Sequence, residues 1–365
     1  MSDSNAKFRT LTLLVLLAGS VLLTGCLGPW DQKQSALDPR GPLAQDQYNT
    51  FMVTLYVTGF LFVTVGGTLL YTVWRFRSRK TDDPNTIPKQ SHGHPVIELG
   101  LVLASAAMLV VIAVPTIRGI VYMENMPKDL HDDAIVINVT GLQWWWEFEY
   151  PEEGIVTANE MYIPAGRAVH LNLRADDVIH SFWVPKLAGK KDLIPGQENE
   201  MWMKADEPGY FYGQCAEFCG DSHAYMLFRV IAVPEEEYRA WIEKYQEGPA
   251  IDIADPGAWE PDDAHEELIG KGIDAFRRHC VSCHRVGDQG GLTGPNLSHF
   301  GSRTTLAAGW LDNNPENLHR WLAEPERVKP GNLMYYGLQG MTGLKDIEIS
   351  DEEIEAMVAF LLALE

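Results

Sequence analysis

The apolar and polar positions divide the chain into distinct stretches. A short apolar run, Leu11–Leu23, follows Lys7 and Arg9. It is too short to span a bilayer comfortably and suits an export signal, with a short uncleaved anchor as the alternative. Residues 27–47, rich in Pro, Gly, Gln and Asp, read as a linker. Two long apolar segments follow, Tyr48–Trp74 and Pro95–Val121, each long enough to cross the hydrocarbon core. From Ala134 the pattern shifts to short runs of period two bounded by Gly, Pro and Asp. IVINVTGLQWWWEFEY, EMYIPAGRAVHLNLRAD, ENEMWMKADEPGYFYGQC and AYMLFRVIAV read as strands of a sandwich or Greek-key barrel. Alternation places Trp144 and Trp146 on one face and Trp145 on the other.

Residues 234–262 begin as a helix-compatible acidic run and become a Pro/Asp/Gly linker. Beyond them, Gly270–His284 carries Ile273, Phe276 and Cys280 at helical spacing. The last segment, ISDEEIEAMVAFLLALE, sets apolar residues at the same spacing behind a capping box of Ser350 and Glu353. The pattern predicts a multidomain chain: a two-helix transmembrane hairpin, an all-β barrel and an all-α domain. Its expected boundaries are 1–25 (signal), 26–47 (linker), 48–122 (hairpin), 123–245 (barrel), 246–264 (linker) and 265–365 (helical domain).

Charge orients this arrangement. Between the two apolar segments, Arg75, Arg77, Arg79, Lys80 and Lys89 face only Asp82 and Asp83. The positive-inside rule puts that loop in the cytoplasm and both flanking ends outside. The formal net charge of −21 excludes nucleic acid as a default partner and favours an anionic exported face. Neither apolar segment contains a histidine, so neither is expected to hold a haem or a copper ion. Glu98 opens the second segment near the cytoplasmic edge, where a wet interfacial carboxylate is the simple reading.

The chemistry concentrates in two places. The stretch YFYGQCAEFCGDSHAYM packs Cys215, Cys219, His223 and Met226 into about one loop, with Glu217 between the thiols. Thiolates, an imidazole and a thioether form a ligand set that selects copper over hard cations. Two cysteines four apart can bridge two ions, and His180 in DDVIHSFWVP supplies a second imidazole. A Cys215–Cys219 disulfide and a zinc site are the competing readings. The second place is Cys280-Val281-Ser282-Cys283-His284, the C-x-x-C-H pattern of c-type haem attachment, with a redox or zinc pair as the alternative. Gly294-Pro295-Asn296-Leu297 and Val328-Lys329-Pro330-Gly331-Asn332-Leu333-Met334 flank it. His265, His279, His299 and His319 have no metal-like spacing. His279 is expected at the surface.

The copper-type motif resembles the dinuclear copper A centre of haem–copper oxidase subunit II, over residues 40 to 245. With the C-x-x-C-H module, the whole chain resembles the family of caa-type cytochrome c oxidase subunits II. The resemblance implies a cupredoxin-like barrel and a class I cytochrome c domain. It implies copper A held by His180, Cys215, Cys219, His223, Met226 and the Glu217 carbonyl. The Glu217 carboxylate would turn to a magnesium or manganese ion shared with subunit I. It further implies one haem c on Cys280 and Cys283, with His284 and Met334 on the iron and Met341 as the other candidate. The proline carbonyl of the Gly294–Leu297 loop would orient His284. The family's QWxW pattern falls on Gln143–Trp146 and makes Trp144 the point at which electrons enter. Leu142 and Trp145 stand where His and Tyr are frequent, and Lys191 where many relatives carry Met. Glu98 would lie at the mouth of a proton path. Leu23-Thr24-Gly25-Cys26 resembles a bacterial lipobox, with Cys26 lipidated.

The implied function is to take electrons from an outside donor and pass them through haem and copper A to subunit I, where oxygen is reduced with proton pumping. The donor would be a soluble cytochrome, a copper protein or a quinol-oxidising complex. Because both exported modules are acidic, the donor is expected to present a basic or an apolar patch. Subunits I and III and membrane lipid are the implied partners, in a bacterial cell membrane. A tether of roughly 20 residues would hold the haem module at millimolar effective concentration near the copper site. Two other classes compete, and a third is excluded if the copper ligands are real. A copper-delivery protein would need labile ligands. A nitrous oxide reductase would need a further multi-histidine cluster. A quinol oxidase subunit lacks the copper ligands.

Overall fold

The structure, a computed structural model, describes residues 31–78, 92–254, 263–335 and 349–365. Cys26 with its signal, Arg79, Lys80 and Lys89 of the basic loop, part of the second linker and Met341 lie outside the described residues. Helix α1 runs Pro42–Phe76 and α2 runs Pro95–Glu124, each with proline in its first turn, where the missing N–H costs nothing. At 1.5 Å per residue both exceed the roughly 30 Å hydrocarbon core. Phe62, Leu70, Val96 and Leu101 stay exposed along them, a surface suited to lipid or another membrane protein. α1 starts six residues before the apolar segment does, because its first turn is seated on the barrel. There Leu43 and Ala44 are buried and the Ala44 amide donates to the Leu187 carbonyl at 3.2 Å.

The barrel is a cupredoxin-like pair of five-stranded sheets. Its strands are β1 (Ile135–Leu142), β2 (Trp145–Tyr150), β3 (Ile155–Ala158), β4 (Glu160–Pro164) and β5 (Ala168–Ala175). They continue with β6 (His180–Trp183), β7 (Lys191–Leu193), β8 (Asn199–Lys204), β9 (Gly209–Cys215) and β10 (Leu227–Val233). One sheet runs β3-β2-β1-β5-β8 and the other β4-β10-β9-β6-β7. The single apolar run from Ile135 to Tyr150 breaks at Gln143-Trp144 into two antiparallel strands, with Gly141 opposite Trp146. Fully buried Trp146, Phe148, Phe182 and Phe228 fill the space between the sheets, with ring centroids 4.5 to 5.9 Å apart at their contacts. As the burial alternation of β2 requires, Trp144 and Trp146 point inward and Trp145 is half-buried.

Helix α3 (Glu235–Gln246) follows the barrel. The chain then enters the haem-type module, in which α4 (Ala264–His279) crosses α6 (Asp351–Leu362), with α5 (Pro315–Ala323) alongside. The crossing is close because Gly272 sits in it. A Cβ there would meet the Ala356 carbonyl oxygen at 2.1 Å. Ser350 caps α6, and its amide is bonded back by Glu353. His279 is half-buried rather than freely exposed: its side chain is 16% exposed and lies 3.3 Å from Glu353, because the crossing folds the end of α4 against the start of α6. Ile251 and Ile253, in the stretch read as linker, are buried with Ile269, Ile273 and Phe276 of this core.

Candidate metal and haem centres

Strand pairing assembles the first centre. Phe182 of β6 pairs with Cys215 of β9, so His180, two residues earlier, is carried to the mouth of the Cys215–Met226 loop. The loop is closed by Cys215 N donating to Met226 O at 2.9 Å and braced by Ala216 N donating to Ser181 O at 2.9 Å. The two sulfurs are 3.8 Å apart. His180 Nδ1 lies 4.0 Å from Cys215 Sγ, and His223 Nδ1 lies 3.6 Å from Cys219 Sγ. Met226 Sδ lies 3.8 Å from Cys219 Sγ, and the Glu217 carbonyl oxygen is 3.2 Å from Cys215 Sγ. The site is thus five side chains and one carbonyl drawn from sequence positions 180 to 226.

The electrostatics of the thiols fit a cation. The bond from Cys219 lowers the Cys215 pKa in spite of burial. Cys219 is raised far above its ordinary value by that shared bond and by desolvation. Two sulfurs this close share one negative charge readily and resist a second, so both ionise together only around positive charge. Buried Cys215, Cys219 and Met226 keep water out. The two thiols and the thioether behind them fit a thiophilic metal.

Two neighbours of this site escaped the sequence reading. Asp177 Oδ1 accepts from His180 Nε2 at 2.8 Å, fixing the tautomer that leaves Nδ1 free toward the sulfurs. The same carboxylate accepts from the Gln143 and Val178 amides, each at 2.6 Å. An acid three residues before a histidine, in DDVIH, was the available signal. Gly141 is the second: a Cβ there would meet the His180 ring at 2.8 Å. Trp144, which sequence did single out, donates its indole N–H to the Cys219 carbonyl at 3.0 Å, beside Gln143 Nε2 at 2.7 Å.

The second centre is a cavity of about 560 Å³ lined by Cys280, Cys283, His284, Pro295 and Met334, with Phe276 and Leu361 as apolar wall. His284 Nδ1 donates to the Pro295 carbonyl at 2.9 Å, which leaves Nε2 free. Desolvation lowers the His284 pKa and keeps the ring neutral, the form that ligates a metal. Burial raises the Cys280 thiol to about 12. Gly294 allows the close approach, since a Cβ there would meet the His284 ring at 2.7 Å. Two thiols, an oriented imidazole and a thioether around one apolar cavity fit a covalently held haem. Trp144 and Trp145 of the barrel line the same cavity. Glu98 is not part of either centre. It is exposed in the first turn of α2.

A membrane hairpin bearing a thiophilic metal site on a cupredoxin barrel, with a C-x-x-C-H module attached, defines a membrane-anchored electron-transfer protein. Residues 153–233 match the family "Cytochrome C oxidase subunit II, periplasmic domain", and residues 269–365 match "Cytochrome c". Cytochrome c oxidase subunit 2 of Alkalihalophilus pseudofirmus is 38% identical over 98% of this chain and 97% of its own length. The same subunit of Bacillus sp. strain PS3 is 35% identical over 100% and 99%. Quinol oxidase subunit 2 of Bacillus cereus is 32% identical but covers 72% of this chain and 86% of its own length. The chain belongs to the cytochrome c oxidase subunit 2 family. It is the subunit through which electrons reach a membrane-bound oxidase, it carries a fused cytochrome c domain, and the family domains imply copper A and haem c.

Proposed function

We propose that residues of this chain hold both redox groups on the electron path into the oxidase. Cys215, Cys219, His180 and His223 would hold the dinuclear copper A, with Met226 as its weakest donor. The Glu217 carbonyl would be a further copper donor, and its carboxylate would serve a magnesium or manganese ion shared with subunit I. Cys280 and Cys283 would attach the haem covalently, and His284 and Met334 would be the ligands of its iron. When bound, these groups supply one-electron redox chemistry at the membrane surface. The protein's part is to hold the ligands still. The barrel strands fix His180 and Cys215 by backbone pairing, Asp177 fixes the imidazole, and Trp144 is tied to the carbonyl of Cys219.

Subunits I and III and membrane lipid surround the hairpin in this reading, with Glu98 at the mouth of a proton path and Cys26 as a lipid anchor. An outside soluble cytochrome, copper protein or quinol-oxidising complex supplies the electrons. The observation that carries the assignment is the convergence of His180, Cys215 and Cys219, all buried, with donor atoms within 4.8 Å of one another. The full chain, expressed in a host that matures c-type haem, should contain two coppers sharing one unpaired electron and one low-spin haem, read by metal analysis and electron paramagnetic resonance. Zinc, a disulfide or a single isolated copper in that preparation would refute the copper assignment.

A further inference from the structure

The cytochrome module does not hang free on its linker. It sits on the barrel through buried polar contacts. Glu160 of β4 is 2% exposed, and its carboxylate accepts from Thr304 N and Oγ1 and from Thr305 N and Oγ1, at 2.6 to 3.0 Å. All four donors belong to the cytochrome module. Covering this carboxylate strips its water, and the four donors of the cytochrome module replace that water, so the contact is chemically matched on both sides. Arg229 of β10, also buried, donates to the Gly309 carbonyl at 2.6 Å.

The second contact lies over Trp144. Lys329 is 4% exposed and donates Nζ to the carbonyls of Trp144 and Ala307. Ser222, beside His223, donates to the Pro330 carbonyl. Gly331, at φ +73°, is pressed against Trp144 and Asp221: a Cβ there would meet Trp144 at 3.3 Å and Asp221 at 3.0 Å. Glu326 accepts from the Gly331 amide and holds the turn. The segment that ends in Met334 therefore has a second task, which is to grip the tryptophan bonded to Cys219.

We infer that Lys329–Gly331 and Glu160 form a latch that seats the chain's own cytochrome module over Trp144, closing this tryptophan to an outside protein. The inference rests on the proposed function for its consequence. With Trp144 covered, an outside donor delivers its electron to the cytochrome module and has no direct access to the copper side. Glu160 lies away from both centres and Lys329 stands at the rim of the haem cavity, and both act here as positioning residues through the contacts they make across the two modules.

The test is hydroxyl-radical footprinting of the full, loaded chain, read by mass spectrometry at Trp144. In the wild type Trp144 should be as protected as Trp146, which is 0% exposed, and far below Trp310, which is 44% exposed. K329M and E160Q should each speed Trp144 oxidation roughly tenfold, the rise in open population expected when a buried hydrogen bond is lost. The two residues lie on different modules, so a folding defect confined to one module cannot give both results. Trp144 oxidised as fast as Trp310 in the wild type, or unchanged by both variants, overturns the latch. Copper and haem spectra of the same samples keep the two readings apart. Missing signals sink the ligand assignment, while the footprint still decides the docking.

Discussion

Replacing Asp177 by asparagine tests how far the metal site depends on the group behind its histidine. The Asp177 carboxylate meets three donors: His180 Nε2 and the Val178 amide on one oxygen, and the Gln143 amide on the other. Asparagine can keep its carbonyl oxygen toward His180 and Val178, but its amide nitrogen then faces the Gln143 N–H, donor against donor. Turned the other way, it loses His180 altogether. An unmet buried donor costs about 1–3 kcal/mol. Asp177 keeps 27% side-chain exposure, so water relieves part of that cost. Loss of a partner behind a ligating histidine typically lowers metal affinity about 10- to 100-fold, or roughly 1.4–2.8 kcal/mol. The exposure of Asp177 places the expected loss at the tenfold end. Competition between the loaded full chain and a copper chelator measures it directly. Equal copper affinity in D177N and wild type would show that β-strand pairing alone orients His180.

Two further outcomes concern the cytochrome module. Gly272→Ala adds a methyl that would meet the Ala356 carbonyl at 2.1 Å and Phe360 Cβ at 2.6 Å. Alanine gains up to about 1 kcal/mol of helix propensity, but pushing two packed helices apart costs roughly 1–3 kcal/mol, so the variant should melt several degrees lower; an equal or higher melting temperature contradicts the tight crossing. Glu353 is held down to about 2 from an ordinary 4.5, first by Arg278, then by the Ser350 amide and His279. A lowered carboxylate pKa contributes stability that is present above about 4.5 and lost as pH falls through about 2. The pair lies near the surface and is worth roughly 1 kcal/mol. E353Q should therefore flatten the fall in melting temperature between those pH values, and parallel profiles would exclude the role.

Much of the candidate site is legible because its proposed ligands are close in sequence. Cys215, Cys219, His223 and Met226 fit in one loop, and Cys280, Cys283 and His284 in another, so residue type and spacing already name the chemistry. The two membrane helices and the Ser350–Glu353 cap are local in the same sense, since a helix end depends on residues three or four apart. His180 is different. Its isolation in DDVIHSFWVP makes it only a candidate, and it reaches Cys215 because β6 pairs with β9.

What tertiary structure alone decided are the contacts between segments with no shared period. Asp177 behind His180, the Trp144 indole on the Cys219 carbonyl, and Glu160 under Thr304 and Thr305 join residues whose sequence neighbours say nothing of the meeting. His279 shows the same limit, reading as a surface residue yet packed against Glu353 where α4 and α6 cross. Trp145 is outward-facing by alternation, and it lines the haem cavity only because a second module is seated there. Sequence by itself determined the candidate ligand set and the order of the modules, because both depend on short-range pattern. How the two redox modules face each other depends on buried hydrogen bonds between distant strands and loops, and only the folded chain brings those donors and acceptors together.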